Sequence, residues 1–133
     1  MFDEKDLLLE TRHVTRRFPA PGGRTLTACN DVSLKFYRGK TLGLIGESGC
    51  GKSTFMRLVV RLDKPTEGEI IFQGKNLTNL KGEELRQTRQ HIQMVFQDPG
   101  GSFNPKMKIR DIICEPLINF RRIKASQKEE TAR

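Results

Sequence analysis

The 133-residue sequence has no tryptophan, one tyrosine, three cysteines and two histidines. Cys29, Cys50 and Cys114 are odd in number and scattered, with no Cys-x-x-Cys pair and only His13 and His91 to assist them. Neither a disulfide framework nor a zinc site follows from that pattern, and all three read as reduced thiols. Long apolar runs are also lacking: no uninterrupted hydrophobic stretch exceeds three residues, as at Leu7 to Leu9 or Ile70 to Phe72. A spanning helix needs about 20 mostly apolar residues, so none is expected. Met1-Phe2-Asp3-Glu4 places acids where a secretory signal carries Lys or Arg, and no apolar segment follows, so a cytosolic chain is expected. No long period recurs, which removes repeat architectures.

Positive charge is what the chain has in excess. Lys and Arg number 24 against 16 Asp and Glu, a net charge of +8. The basic residues are spread along the chain except at Arg16-Arg17 and Arg121-Arg122, and no recognition motif accompanies them, so nucleic-acid binding ranks last among the readings. With 35% hydrophobic and 30% charged residues, the composition is that of one folded domain rather than a disordered chain.

Leu7 to Leu9 lead through Val14 and Phe18 into the turn-forming run Pro19-Ala20-Pro21-Gly22-Gly23, which predicts a strand and then a surface turn. Val32, Leu34 and Phe36 alternate with Ser33 and Lys35, the period of a half-buried strand pairing antiparallel with the first. Thr41 to Ile45, bounded by glycines and nearly uncharged, reads as a strand buried on both faces of an α/β sheet. Phe55, Met56, Leu58, Val59 and Leu62 recur at helical spacing, predicting a helix that ends near Asp63, before Pro65. Glu69 to Gln73 reads as a strand, Glu83 to Arg89 as a polar helix, and Ile92 to Phe96 as an apolar stretch. A loop through Pro99-Gly100-Gly101 and Asn104-Pro105 then precedes a short helix over Ile109 to Cys114, broken by Pro116. The alternation of types indicates α/β or α+β.

Gly46-Glu47-Ser48-Gly49-Cys50-Gly51-Lys52-Ser53 fits G-x-x-x-x-G-K-[ST], between the expected strand and helix where its chemistry requires it. Average composition produces the pattern in roughly 0.4% of chains of this length, so an incidental glycine-rich turn is disfavoured. Glycines let the backbone fold into a concave nest whose N–H groups face a phosphate, and the helix N-terminus adds partial positive charge. Lys52 is a point charge for β- and γ-phosphates, the Ser53 hydroxyl a ligand for Mg²⁺, and Thr54 a contact to an inner phosphate. Cys50 reads as a small filler at a variable position of the loop.

From Leu8 to about Leu117 the chain resembles the ATP-binding subunits of ABC transporters, in the branch that energises oligopeptide and dipeptide uptake. The resemblance is carried by Leu42 through Thr54, by Ile92-Gln93-Met94-Val95-Phe96-Gln97-Asp98-Pro99, by Ser102-Phe103-Asn104-Pro105-Lys106-Met107 and by Glu115-Pro116-Leu117. It implies a P-loop NTPase core with an antiparallel β subdomain, ATP and Mg²⁺ as ligands, and a peripheral place on the cytoplasmic face of the membrane. It implies that Phe18 stacks on adenine, although packing in the small antiparallel core would equally use an aromatic there. It gives Gln97 the role of the Q-loop glutamine, near Mg²⁺ and the attacking water, and makes Phe103 and Met107 candidate contacts to a membrane permease. Arg61 stands where a small glycine is usual, and Phe103 where leucine is.

By the same resemblance the signature loop, the Walker B strand and the switch histidine should follow Gln97, and none occurs in these residues. The implied organisation is an antiparallel β part over 5–40 and 68–78, a P-loop core part over 41–63 and 91–97, and a Q-loop and helical part over 98–133. The implied partners are transmembrane permease subunits, a second ATPase subunit packed head to tail and, indirectly, a peptide-binding protein. The 133 residues alone are expected to bind Mg-ATP without hydrolysing it, since phosphoryl transfer depends on positioned charge that the missing carboxylates supply. An alternative is a non-enzymatic interaction subunit docking on a permease or a full-length ATPase. A GTPase is disfavoured because Gly74-Lys75-Asn76-Leu77 is no Asn-Lys-x-Asp.

Overall fold

The structure is a computed structural model and describes residues 3–97, 101 and 103–132. It divides into two compact units, Met1–Arg89 and Gln90–Arg133. The loop residues Asp98, Pro99, Gly100 and Ser102 of the sequence reading lie outside the described residues.

The first unit is built on a hairpin of two long strands, β1 (Leu7–Ala20) and β2 (Arg24–Tyr37), paired antiparallel from Leu7↔Tyr37 to Ala20↔Arg24. Gly22 and Gly23, at φ 74° and 72°, turn the chain between them. The strand passes the expected breaker Pro19 because β3 (Glu67–Phe72) pairs with β1 only as far as Thr15↔Glu67. At Pro19 the other edge of β1 therefore has no ladder to lose an N–H from. With β4 (Lys75–Asn76) the sheet order is β2-β1-β3-β4. His13 and Asp31 have positive φ where the β1–β2 register shifts, and their side chains meet at 2.7 Å. A Cβ on Gly68 would collide with the carbonyls of Arg12 and His13, so only glycine lets β3 cross that irregularity.

The core lies where Leu9, Val14, Ile70 and Phe72 of the sheet and Leu77 are buried together with Phe55, Leu58 and Val59 of α1 (Lys52–Val59). The helix ends earlier than the Pro65 argument expected, through its own cap. Arg61 takes φ 57°, its N–H donates to Leu58 at 2.9 Å, and the Leu62 N–H returns to Arg57 at 2.9 Å. That is a Schellman closure, which normally selects glycine at the left-handed position. The guanidinium of Arg61 is buried and donates to the carbonyls of Leu77 at 2.9 Å, Thr78 at 3.2 Å and Asp63 at 3.2 Å. Helix α2 (Gly82–Arg89) completes the unit, with Arg89 donating to the Arg61 carbonyl.

The strand expected over Thr41 to Ile45 is not formed, and Leu42, Leu44 and Ile45 are exposed. A strand is defined by its ladder, and among the described residues no segment pairs with this one. The apolar stretch Ile92 to Phe96 in the second unit likewise forms no strand, and Val95 and Phe96 are exposed.

In the second unit, α3 (Ile109–Asn119) runs straight through Pro116 instead of breaking at it. Its end repeats the device seen at α1: Arg121 has φ 55°, and Arg121 and Arg122 donate to the carbonyls of Ile118 and Leu117 at 2.9 and 2.7 Å. Cys114 is buried against the Lys128 carbonyl, and Asp111 and Arg110 form ion pairs with Lys128 and Glu129 of α4 (Lys128–Thr131). Among the described residues no helix is long and apolar enough to cross a membrane.

Candidate nucleotide-binding site

The loop Gly46 to Gly51 is shaped by three glycines with different constraints. Gly51, at φ 96°, caps α1 from the left-handed region, and a Cβ there would collide with the Ala28 carbonyl of β2. The loop therefore rests directly on the second strand, and only hydrogen fits in the gap. Gly49 turns with φ 81° into open space, and a Cβ on Gly46 would stand 2.7 Å from the Cys50 Sγ.

Lys52 leads the helix and curls back over the loop. Its Nζ donates to the Gly46 carbonyl at 2.7 Å and the Glu47 carbonyl at 2.5 Å, and lies 3.5 Å from the Cys50 Sγ. The ammonium thus stands at the mouth of the concavity. Ser53 is exposed and Thr54 half-buried in the first turn, where unpaired N–H groups and partial positive charge face outward. Cys29, beneath the loop, is buried and close to the Gly51 carbonyl at 3.6 Å. Burial pushes its thiol above the ordinary range, with Cys50 adding a smaller push in the same direction.

A cavity of about 390 Å³ opens above this loop, lined by Gly49 through Thr54 on one side and by Phe18, Leu26, Thr27 and Ala28 on the other. The hairpin explains the meeting, since Phe18 pairs with Leu26 in the β1–β2 ladder just before the strand reaches the loop's resting point at Ala28. Of the residues singled out in the sequence, Phe18, Gly49, Cys50, Gly51, Lys52, Ser53 and Thr54 share this cavity. Gly46 and Glu47 join through the lysine, and Ser48 is exposed on the turn before Gly49. Gln97 belongs to the second unit, where it is exposed. Leu26, Thr27 and Ala28 escaped the sequence reading because they contribute through strand register, which no residue type announces.

The family model described as ABC transporter matches residues 29–133. The chain belongs to the ABC transporter family. Among its curated relatives, the oligopeptide transport ATP-binding protein OppF of Haemophilus influenzae is 46% identical over 86% of this chain and 37% of its own length. The oligopeptide transport ATP-binding protein AppF of Bacillus subtilis is 47% identical over 85% of the chain and 36% of its own length. The dipeptide transport ATP-binding protein DppF of Lactococcus lactis is 51% identical over 68% of the chain and 30% of its own length. This ABC transporter chain thus spans little more than a third of the oligopeptide relatives. Among solved structures it resembles the dimeric structure of MJ0796, a bacterial ABC transporter cassette, at a TM-score of 0.82 and 28% identity, covering 92% of the chain and 53% of the cassette. A post-hydrolysis dimer of the same cassette bound to ADP and Pi gives a TM-score of 0.78 at 26% identity. Those cassettes account for the fold class: a P-loop NTPase core of the ABC type with an antiparallel β subdomain, of which this chain carries about half.

Proposed function

We propose that this chain is the N-terminal, ATP-binding part of the ATPase subunit that energises ABC-type import of oligopeptides or dipeptides. One observation carries the reading: an aromatic ring and a lysine-tipped glycine loop line one cavity, 390 Å³ in volume, at a helix N-terminus. Ring and loop are the two halves of what a nucleoside triphosphate needs, a flat apolar platform for the base and a nest for the phosphates.

In this reading Phe18 supports adenine. Gly46, Glu47, Ser48, Gly49, Cys50, Gly51, Lys52, Ser53 and Thr54 surround the phosphates, with the Lys52 ammonium leaving the carbonyls of Gly46 and Glu47 for phosphate oxygens. Ser53, exposed in the first turn of α1, offers a hydroxyl that suits Mg²⁺, a hard ion held mainly by phosphates and water. The ion neutralises charge on the phosphates when bound. The partners would be membrane permease subunits and a second ATPase subunit, with a peptide-binding protein acting through the permease. The chain would lie peripherally on the cytoplasmic face. The domain parts expected from sequence are retained as part of this proposal, with 98–133 opening the helical subdomain.

The 133 residues alone lack the carboxylates that polarise a water, so binding without turnover is expected. Equilibrium binding of a fluorescent ATP analogue with Mg²⁺, beside Lys52→Ala and a phosphate-release assay, tests this. Saturable binding lost in the variant, with no phosphate released, supports the proposal. Equal binding by both proteins, or steady release, overturns it.

A further inference from the structure

Phe18 does not stand alone at the end of its strand. Arg16 lies two residues earlier in β1, and alternation along a strand brings positions i and i+2 to the same face. The Arg16 guanidinium carbon is 4.4 Å from the centre of the Phe18 ring, well inside the range in which a cation is attracted to a ring face. The guanidinium is also tied down from outside the strand, since Nη1 donates to the Lys64 carbonyl at 2.9 Å. Asp63 lies near this cation. Its carboxyl is held below the usual range first by the hydrogen bond from Arg57, with the charges of Arg57 and Arg16 adding to it.

Two details give the contact a direction. The Arg16 Nε is buried without a hydrogen-bond acceptor, which suits a guanidinium laid flat on a ring rather than forked onto a carboxylate. Phe18 lines the 390 Å³ cavity and Arg16 is not among the lining residues, so the cation meets the ring from outside the cavity. We infer that Arg16 is a positioning residue for the base platform: it clamps one face of Phe18, fixes the ring plane, and leaves the other face to a purine. The cation draws π-electron density toward itself, which favours an electron-rich purine on the opposite face. A ring on an exposed hairpin end would otherwise turn about its side-chain torsions, and ordering it would oppose binding. The inference rests on the nucleotide reading of the cavity and adds to it a residue that never touches the ligand.

The test separates the base from the phosphates. Affinities for Mg-ATP and for inorganic tripolyphosphate are measured by calorimetry on the whole chain and on Arg16→Met, Arg16→Lys and Phe18→Ala, each checked by thermal melting. Arg16→Met keeps the apolar stem, so it isolates loss of the cation from loss of packing. The expected result is about three- to tenfold weaker ATP binding in Arg16→Met, unchanged tripolyphosphate binding, and only partial recovery in Arg16→Lys, which keeps the charge without the planar guanidinium. Adding Arg16→Met to Phe18→Ala should cost nothing further. Tighter ATP binding in Arg16→Met would show the guanidinium occupying the face of the base and overturn the inference. Equal losses for both ligands, or ATP binding in Arg16→Met as tight as in the unsubstituted chain, would also overturn it. If the unsubstituted chain binds tripolyphosphate as well as ATP, Phe18 is no platform and Arg16 positions nothing, although the phosphate cradle stands. If it binds neither, the nucleotide reading fails and takes this inference with it.

Discussion

At the scale of single residues, the backbone of the glycine-rich loop restricts which side chains fit it. Gly51 must be glycine to rest on the Ala28 carbonyl, and Lys52 must be long and charged to reach over the loop. Two substitutions follow from this. Gly51→Ala meets both a left-handed φ of 96° and a backbone collision, and is expected to lose about 2 kcal/mol or more of stability together with nucleotide binding. Gly22→Ala is the matched comparison, since φ is 74° with nothing within 4 Å of the new Cβ, and about 1 kcal/mol of strain alone is expected. Urea unfolding of both proteins measures the difference, and equal losses would show that the contact with Ala28 is unimportant. Arg16 was not legible at this scale. In sequence it is half of an Arg-Arg pair, and only the ring beneath it gives it a part.

At the scale of elements, hairpin and helices were visible where local pattern decides them, and invisible where a distant partner does. Alternation over Val32 to Phe36 yields β2, but the same apolar character in Thr41 to Ile45 yields no strand without a neighbour to pair with. Proline was misleading twice, at Pro19 because β1 lacks a second partner there, and at Pro116 because α3 continues through it. The closure of α1 offers two predictions. Arg61→Gly should relax the left-handed φ of 57° yet strip hydrogen bonds from the buried carbonyls of Leu77 and Thr78. Unsatisfied buried acceptors cost about 1–3 kcal/mol each, more than the relieved strain, so net destabilisation is expected, and a raised melting temperature would contradict it. Asp63, beside it, accepts from Arg57 at 2.7 Å, which holds its carboxyl below the ordinary 3.8. The folded state therefore binds that proton less readily than the unfolded chain. The stabilisation is fully present above that ordinary value and is lost as pH falls through the lower folded one. Melting temperatures of the chain and Asp63→Asn should differ at neutral pH and converge in strong acid; a constant gap would show that the pair contributes through shape rather than charge.

At the scale of the whole molecule, the chain carries apolar residues that it does not itself cover. Ile45 is 96% exposed and Val95 87%, and Leu42 and Leu44 also face outward. In cassettes of the ABC type that are about twice this length, such residues are expected to be covered by the rest of the domain. Exposed and unpaired apolar segments of this kind are expected to favour self-association. Replacing Leu44 and Ile45 by serine should shift gel-filtration elution toward the monomer, and unchanged elution would place the contact elsewhere. The glycine-rich loop and Phe18 both lie within the first unit and line one cavity, so the proposed nucleotide binding is the activity to ask of this chain. The most direct test is to titrate the ¹⁵N-labelled chain with Mg-ATP and follow its backbone amides. If the cavity holds a nucleotide, saturable shifts are expected in the amides of Gly49, Gly51, Lys52 and Ser53 and in those around Phe18, all absent in Lys52→Ala. Unshifted loop amides, or shifts confined to residues outside the cavity, would contradict it.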